Sequence, residues 1–251
     1  KNNLDVQVPV PAGRHDELGE LAQQFNTMVV ALRHNQQALL ENQRALNRAQ
    51  IRMLQAQLNP HFLCNTLDTM KWISKINQVP QVALMSTNLA DILRFCITPD
   101  EFVPLRRELE ILSRYGEIQR IRLSESFSYT EAVPEALLSC MVPKMLLQPL
   151  AENAIDHGID VSDNEDPTLW LTIREENEHI FFEIRDNGAG MTQEKADQIL
   201  TYQSSGYGVR NVCDRIHVLY GEKGEMKIES TPGKGTRVFI RIPKNTEAKV
   251  L

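Results

Sequence analysis

From Leu18 to Met70 a single heptad phase can be followed. Leu18, Phe25, Leu32, Leu39, Leu46, Met53, Pro60 and Leu67 occupy a, and Leu21, Met28, Asn35, Asn42, Ala49, Ala56, Leu63 and Met70 occupy d. A helix of that length cannot bury a continuous apolar seam against itself, so the spacing predicts a left-handed coiled coil, most simply a parallel homodimer. The a layer stays apolar down to Met53, whereas d weakens to Asn35, Asn42, Ala49 and Ala56. Pro60 lacks the amide that would bond the carbonyl of Ala56, which predicts a bend just before His61. After a break at Asn77 to Pro80, Val82, Met85, Leu89, Ile92 and Cys96 again recur at three and four, ending before Pro99. Folded back as an antiparallel hairpin, two such chains make a dimeric four-helix bundle that covers both apolar stripes.

Beyond Phe102 the pattern changes to mixed helix and strand. A helix is expected from Arg106 to Arg122, and apolar β-rich runs stand at Trp170 to Ile173, Ile180 to Ile184 and Val238 to Ile242. With 251 residues, 42% of them hydrophobic, the chain has room for two or three modules. The formal charge of −6 argues against nucleic acid as partner, because phosphate-backbone binding needs clustered Lys and Arg. Cys64, Cys96, Cys140 and Cys213 are far apart, lack metal-ligand spacing and lie among apolar residues, which fits free thiols in a reducing, cytoplasmic setting. No run approaches the apolar length of a membrane span.

The heptad phase puts His61 at b and Asn65 at f, both facing outward. A solvated imidazole keeps a large neutral fraction at pH 7, as a nucleophile toward phosphorus must. Asn65, one turn on, is within reach of the ring or of a phosphoryl oxygen. A bare surface histidine is usually no more than that; the rest of the chain supplies the context. Pro143 to Gly158 reads as one helix with Asn153 and His157 on a shared face, and a neutral amide oxygen such as that of Asn153 suits Mg²⁺ at a nucleotide, where the ion keeps several waters. Asp186-Asn187-Gly188-Ala189-Gly190 follows an apolar strand, placing a carboxylate able to accept an adenine amino group beside glycines that allow close backbone approach. Gly206-Tyr207-Gly208-Val209-Arg210-Asn211 opens a helix whose free N–H groups suit polyphosphate. Gly233 and Gly235 stand before Thr236 and a last strand. Each cluster alone is first of all a turn signal; their order is not explained by turns.

With Asn59-Pro60-His61-Phe62-Leu63 and Asn65 followed by these four clusters, nearly the whole chain resembles the YesM/LytS-like sensor histidine kinases. The resemblance implies a GHKL (Bergerat) α/β sandwich in which Asn153 matches the N box, Asp186 to Gly190, Gly206 to Gly208 and Gly233 to Thr236 match the three glycine boxes, and His157 and Asn211 belong to the ATP site. Asp16-Glu17-Leu18-Gly19 is similar to the second helix of a HAMP linker, implying a membrane-anchored parent. The implied division is 1–33 HAMP-like, 34–58 coiled-coil signalling helix, 59–98 dimerisation and phosphotransfer hairpin, 102–245 ATP-binding domain and 246–251 tail. The implied activity is transfer of phosphate from ATP, with Mg²⁺, to His61 and then to an aspartate of a response regulator.

Two departures stand out. Many histidine kinases carry an acid immediately after the phosphoacceptor; here it is Phe62, leaving Glu152 and Asp68 as candidate proton acceptors. The segment from Asp197 to Gly206 is short for a lid over ATP. A hydrolysing GHKL ATPase is one alternative, but its water-activating Glu would fall four residues before Asn153, where Pro149 stands, and Glu152 projects about 100° away from Asn153 around the helix. A catalytically inactive nucleotide-binding scaffold is the other, and it has no need of His61 and Asn65.

Overall fold

The computed structural model describes residues 20–21, 24–33, 60–123, 127–162, 164–200 and 207–245. The chain divides into two compact units, Lys1–Asn59 and Pro60–Leu251. In the first, residues 24–33 form a helix, α1, on which the heptad side chains Phe25, Met28 and Leu32 are exposed. The weak d positions from Asn35 to Ala56 and the apolar residues Ile51, Leu54 and Leu58 lie outside the described residues, as does the upstream side of the expected bend at Pro60.

The second unit opens with the hairpin α2 (Pro60–Ile76) and α3 (Pro80–Ile97). Of the two, α3 starts on a proline, whose missing N–H costs nothing in a first turn. They are joined by a turn in which Gln78 takes φ 57° and the Val79 amide bonds the Ser74 carbonyl at 2.9 Å. The face of α2 that is covered holds Cys64 and Ser74 with half-buried Leu67 and Asp68, and Arg94 of α3 pairs with Asp68 at 3.1 Å. The d-type residues Leu63 and Met70, with Ile73, remain exposed. On α3 the expected stripe is only partly covered. Ala83, Ser86, Asn88, Ala90, Ile92 and Phe95 are buried, while Val82 and Leu89 stand exposed. Small residues let helix backbones approach closely, and α3 must also face the next helix, to which Asn88 donates at 2.6 Å (Glu117) and Asp91 pairs (Arg114). Apolar spacing by itself did not distinguish these contacts from the face left open.

That next helix is α4 (Leu105–Arg122), reached through strand β1 (Phe102–Pro104). It buries Leu105, Leu109, Ile111, Leu112 and Tyr115, and in the same stripe Glu108. Then come β2 (Ser128–Ala132), a 3-10 turn at Glu135–Leu137, β3 (Met141–Pro143), α5 (Gln148–Ala154) running into a π-helical turn Ile155–Ile159, β4 (Thr168–Glu176), β5 (His179–Asp186), α6 (Gln193–Leu200), α7 (Tyr207–Tyr220), β6 (Glu225–Thr231) and β7 (Gly235–Pro243). Strands β1 and β3 pair as a short antiparallel ribbon. The other five form one sheet in the order β2-β4-β5-β7-β6, parallel between β2 and β4 and antiparallel elsewhere.

Period-two alternation decides which sheet face is the core. Leu169, Leu171, Ile173, Ile180, Phe182, Ile184, Ile228, Val238, Ile240 and Ile242 point inward and are buried together with residues of α4, α5 and α7. On the other face Arg185 lies over the Trp170 ring at 5.0 Å and Arg174 over Phe181 at 5.3 Å, so the aromatic surface left open there is capped by guanidinium groups. The strands run longer than their apolar runs because polar residues on the open face belong to the ladder too.

Candidate active site

His61 lies on α2 and is exposed, and so is Asn65. The helical offset of four brings Asn65 Nδ2 to 3.3 Å from His61 Nδ1, so one ring nitrogen is engaged and Nε2 is left to solvent. Asp68 is two turns on, about 10 Å along the axis, and is held by Arg94.

Two of the glycine clusters, Asp186–Gly190 and Gly233–Thr236, come together at the ends of β5 and β7. Asp186, last residue of β5, is 3% exposed, and its Oδ1 accepts the Gly188 amide at 2.9 Å and the Thr236 amide at 3.2 Å. Burial raises its carboxyl above the ordinary aspartate range, opposed by those amides and by Arg185. Gly158, ending the sequence stretch that carries Asn153, lies against this carboxylate: a Cβ there would stand 2.9 Å from Asp186 Oδ1. Gly188 and Gly235 are forced by backbone crossings, since a Cβ would come within 2.2 Å of the Gly158 carbonyl group in one case and 2.0 Å of the Asp186 oxygen in the other. Gly190, at φ 60°, would meet Thr231 O at 2.1 Å. Ala189 N donates to Gly158 O at 2.8 Å, Gly233 N to Ala189 O at 2.7 Å, and Ser230 Oγ accepts Met191 N while bonding Thr236 Oγ1. Residues Gly158, Asp186, Gly188, Gly190, Gly235 and Thr236 are therefore one welded block.

Asn153 is half-buried on α5, and among the described residues its amide has no protein partner. His157 is exposed. The expected single helix from Pro143 to Gly158 is shorter at its start, beginning at Gln148, and changes to π hydrogen bonding from Ile155. Glu152 Oε1 accepts from Gln148 Nε2 at 2.8 Å. Gly208, in the first turn of α7, is exposed, and a Cβ there would meet nothing nearer than Pro149 Cβ at 3.7 Å, so packing gives no reason for glycine. Asn211 is exposed on the same helix; Gly206 and the rest of 201–206 lie outside the described residues. No hydrogen bond or ion pair among the described residues joins His61 or Asn65 to the block.

Three groups escaped the motif reading. Glu108, 2% exposed, accepts the amides of Met145, Leu146 and Leu147 at 2.5, 3.0 and 3.1 Å. Lys144, 5% exposed, donates to the Thr98 and Cys96 carbonyls. Arg215 of α7 donates to the Lys144 and Glu101 carbonyls. The available signal was Glu108's place inside the apolar stripe Leu105, Leu109, Leu112, where a surface carboxylate has no business.

Residues 1–34 match the HAMP domain family, residues 49–127 the Histidine kinase family, and residues 143–246 the family of Histidine kinase-, DNA gyrase B-, and HSP90-like ATPases. The second unit thus carries an α/β domain of the ATP-binding type. Taken with its relatives, the chain belongs to the sensor histidine kinase family, of the YesM/LytS type. Sensor histidine kinase YesM of Bacillus subtilis is 32% identical over 244 residues, covering 96% of this chain and 41% of that protein. Sensor histidine kinase BtsS of Escherichia coli K12 is 30% identical over 233 residues, covering 92% of this chain and 39% of that one. Sensor protein kinase HptS of Staphylococcus aureus is 27% identical, with 96% of this chain and 47% of its own length covered. The chain therefore spans less than half the length of these relatives. Among solved structures, the histidine kinase domain of the Erythrobacter litoralis EL346 blue-light activated histidine kinase matches 74% of this chain and 94% of that one at 14% identity and a TM-score of 0.45. The catalytic domain of histidine kinase ThkA matches 58% and 97% at 18% identity and a TM-score of 0.41. Among the described residues no helix is long and apolar enough to cross a membrane.

Proposed function

We propose that this chain transfers the γ-phosphoryl group of ATP to Nε2 of His61 and that the phosphohistidine then serves an aspartate of a response regulator. The observation that carries the reading is one imidazole, exposed and engaged among the described residues only at Nδ1, in the same unit as a buried carboxylate whose second oxygen has no protein donor among the described residues. Asp186 Oδ2 is then the acceptor for the adenine amino group, and the first turn of α7 at Gly208 receives the phosphates, where an added side chain would stand in their way. The side-chain amide of Asn65 reads equally well rotated by 180°. With its oxygen toward the ring it accepts Nδ1–H, which leaves the Nε2 lone pair to attack the γ-phosphorus. The N–P bond forms, the bond to the β-phosphate oxygen breaks with ADP leaving, and the ring sheds one proton. Glu152 and Asp68 are the carboxylates available to that proton once the ATP domain approaches the hairpin.

The residues present fit Mg²⁺: the half-buried side-chain amide of Asn153 has no protein partner among the described residues, and a neutral oxygen suits an ion that keeps several waters. Asn153 would supply the protein oxygen, and Mg²⁺ when bound neutralises charge on the phosphates, in keeping with phosphoryl transfer governed by positioning and electrostatics. Dimerisation through α1 and the hairpin is supported by the exposed seam residues Phe25, Met28 and Leu32 and by Leu63, Met70 and Ile73. The division at 1–33, 34–58, 59–98, 102–245 and 246–251 remains the reading of the chain's modules, its parent held at the membrane by segments upstream.

Incubation with γ-labelled ATP and Mg²⁺ tests the proposal. Acid-labile, base-stable label on the protein is expected, lost in His61→Gln with ATP binding retained. Released phosphate without label would make the chain a hydrolase, neither would make it a scaffold, and equal acid-labile label in His61→Gln would displace His61.

A further inference from the structure

The short helix carrying Asn153 is held at its entrance by charged groups that touch neither the nucleotide block nor His61. Met145 has φ 58°, a left-handed backbone that a side chain disfavours. Followed by αR geometry at Leu147, it turns three successive amides, those of Met145, Leu146 and Leu147, toward a single point, forming an anion-binding nest of backbone N–H groups. The anion is the Glu108 carboxylate from α4. α5 follows at once, with Leu147 O accepting the amides of Leu150 and Ala151.

The residue just before the nest faces the opposite way along the chain. Lys144 Nζ donates to Thr98 O at 2.5 Å, Thr98 Oγ1 at 2.9 Å and Cys96 O at 3.3 Å, and it lies 5.1 Å from the Phe95 ring centre. These are the last carbonyls of α3, where a cation also meets the negative end of the helix. The Lys144 amide bonds Glu101 O at 3.0 Å, and Arg215 of α7 holds the Lys144 and Glu101 carbonyls together. A single four-residue segment, 144–147, is thus tied by Lys144 to the end of the hairpin, by Glu108 to α4, and by Arg215 to α7, the helix that carries Gly208.

We propose that Lys144 and Glu108 are positioning residues for phosphoryl transfer. Glu108 sets where α5 and Asn153 stand in the ATP domain, and Lys144 fastens that entrance to α3, so that the nucleotide helix is held in register with the hairpin bearing His61. The proposal rests on the reading of Asn153 as a nucleotide-site residue. Its consequence is a division of labour: Lys144 governs the rate at which bound ATP is used, and Glu108 governs how well ATP is bound.

The test uses the 251-residue chain as wild type, Lys144→Met, Lys144→Arg, Glu108→Gln and Asn153→Asp. Calorimetry gives the Mg²⁺-ATP affinity, and acid-labile labelling at saturating ATP gives the rate per nucleotide-competent molecule, so that loss of folded protein does not imitate loss of rate. Methionine keeps the aliphatic packing on Phe95 and removes the donors, so Lys144→Met should bind ATP within about threefold of wild type yet label about tenfold more slowly or worse. Lys144→Arg, which still donates to carbonyls, should recover most of that rate. Glu108→Gln should weaken ATP binding about tenfold or more; if it does not fold, the Lys144 pair decides. Wild-type labelling by Lys144→Met, or an Arg variant as slow as Met, overturns the proposal while a normal Asn153→Asp defect leaves the nucleotide reading standing. An Asn153→Asp variant with unaltered ATP binding and labelling overturns that reading and the proposal with it.

Discussion

Gly188 and Gly208 look alike in the sequence, each in a short glycine cluster, but the structure gives them opposite reasons. A methyl group on Gly188 would run into the backbone of Gly158, so Gly188→Ala should cost about 1–3 kcal/mol or more, read as a lower urea midpoint. On Gly208 the methyl group has room, and alanine suits a helix better, so Gly208→Ala should leave stability unchanged or raise it by up to about 1 kcal/mol while weakening ATP binding. Equal stability losses in the two variants would refute the distinction. Asp186 offers a second test at this scale. Because burial raises its folded pKa, the folded chain keeps a proton that the unfolded chain has already released, and through that window stability falls as pH rises. Asp186→Asn lacks the titration but keeps an oxygen for the Gly188 and Thr236 amides. Its urea midpoint relative to wild type should therefore climb with pH across the window above the ordinary aspartate range, while ATP binding is lost because an N–H group replaces the adenine acceptor. Parallel midpoints of the two proteins would remove this account of Asp186.

Among the elements, α2 separates its heptad positions. The a-type Leu67 and Ser74 turn toward covered surface, whereas d-type Leu63 and Met70, with Ile73 beside them, stay exposed in the single chain. If this is the face that meets a second copy, Met70→Glu with Ile73→Glu should convert the dimer to monomer in sedimentation equilibrium and leave the far-UV spectrum of the ATP domain intact; an unchanged mass would exclude the face. The same helix shows how far periodicity reaches. Its existence and the outward placement of His61 and Asn65 follow from spacing and phase. On α3 the apolar stripe led to Val82 and Leu89, while Ala83, Ser86 and Asn88 are what is buried, because a helix shared between two neighbours selects small and hydrogen-bonding residues that hydrophobicity does not mark. The helix carrying Asn153 was legible in position but not in length or hydrogen bonding, since hydrogen-bond shifts of one residue at Ile155 leave no trace in composition.

For the whole molecule the heptad carries a prediction that the described residues do not reach. In the proposed coiled coil, Asn35 and Asn42 at successive d positions would weaken the seam between the stronger positions Leu21 and Met28 and the helix at His61. In the full-length receptor, replacing both with Leu should raise dimer stability and hold autokinase activity at one level regardless of stimulus; a stabler receptor that still responds as wild type would make these layers structural only. The sequence by itself determined the order of modules, the helical hairpin, the mixed ATP-binding domain and the identity of Asp186 as the carboxylate ending a strand, because periodicity, proline and turn chemistry act over a few residues and are written locally. Only the tertiary structure decided that Gly158, Gly188 and Gly235 are glycines for one another's sake, that α5 begins on a nest closed by Glu108, and that Lys144 joins the end of α3 to the segment before α5. Those facts depend on which distant segments meet in the folded chain, where a buried charge is tolerated only if the backbone groups around it converge, and no local pattern encodes that meeting.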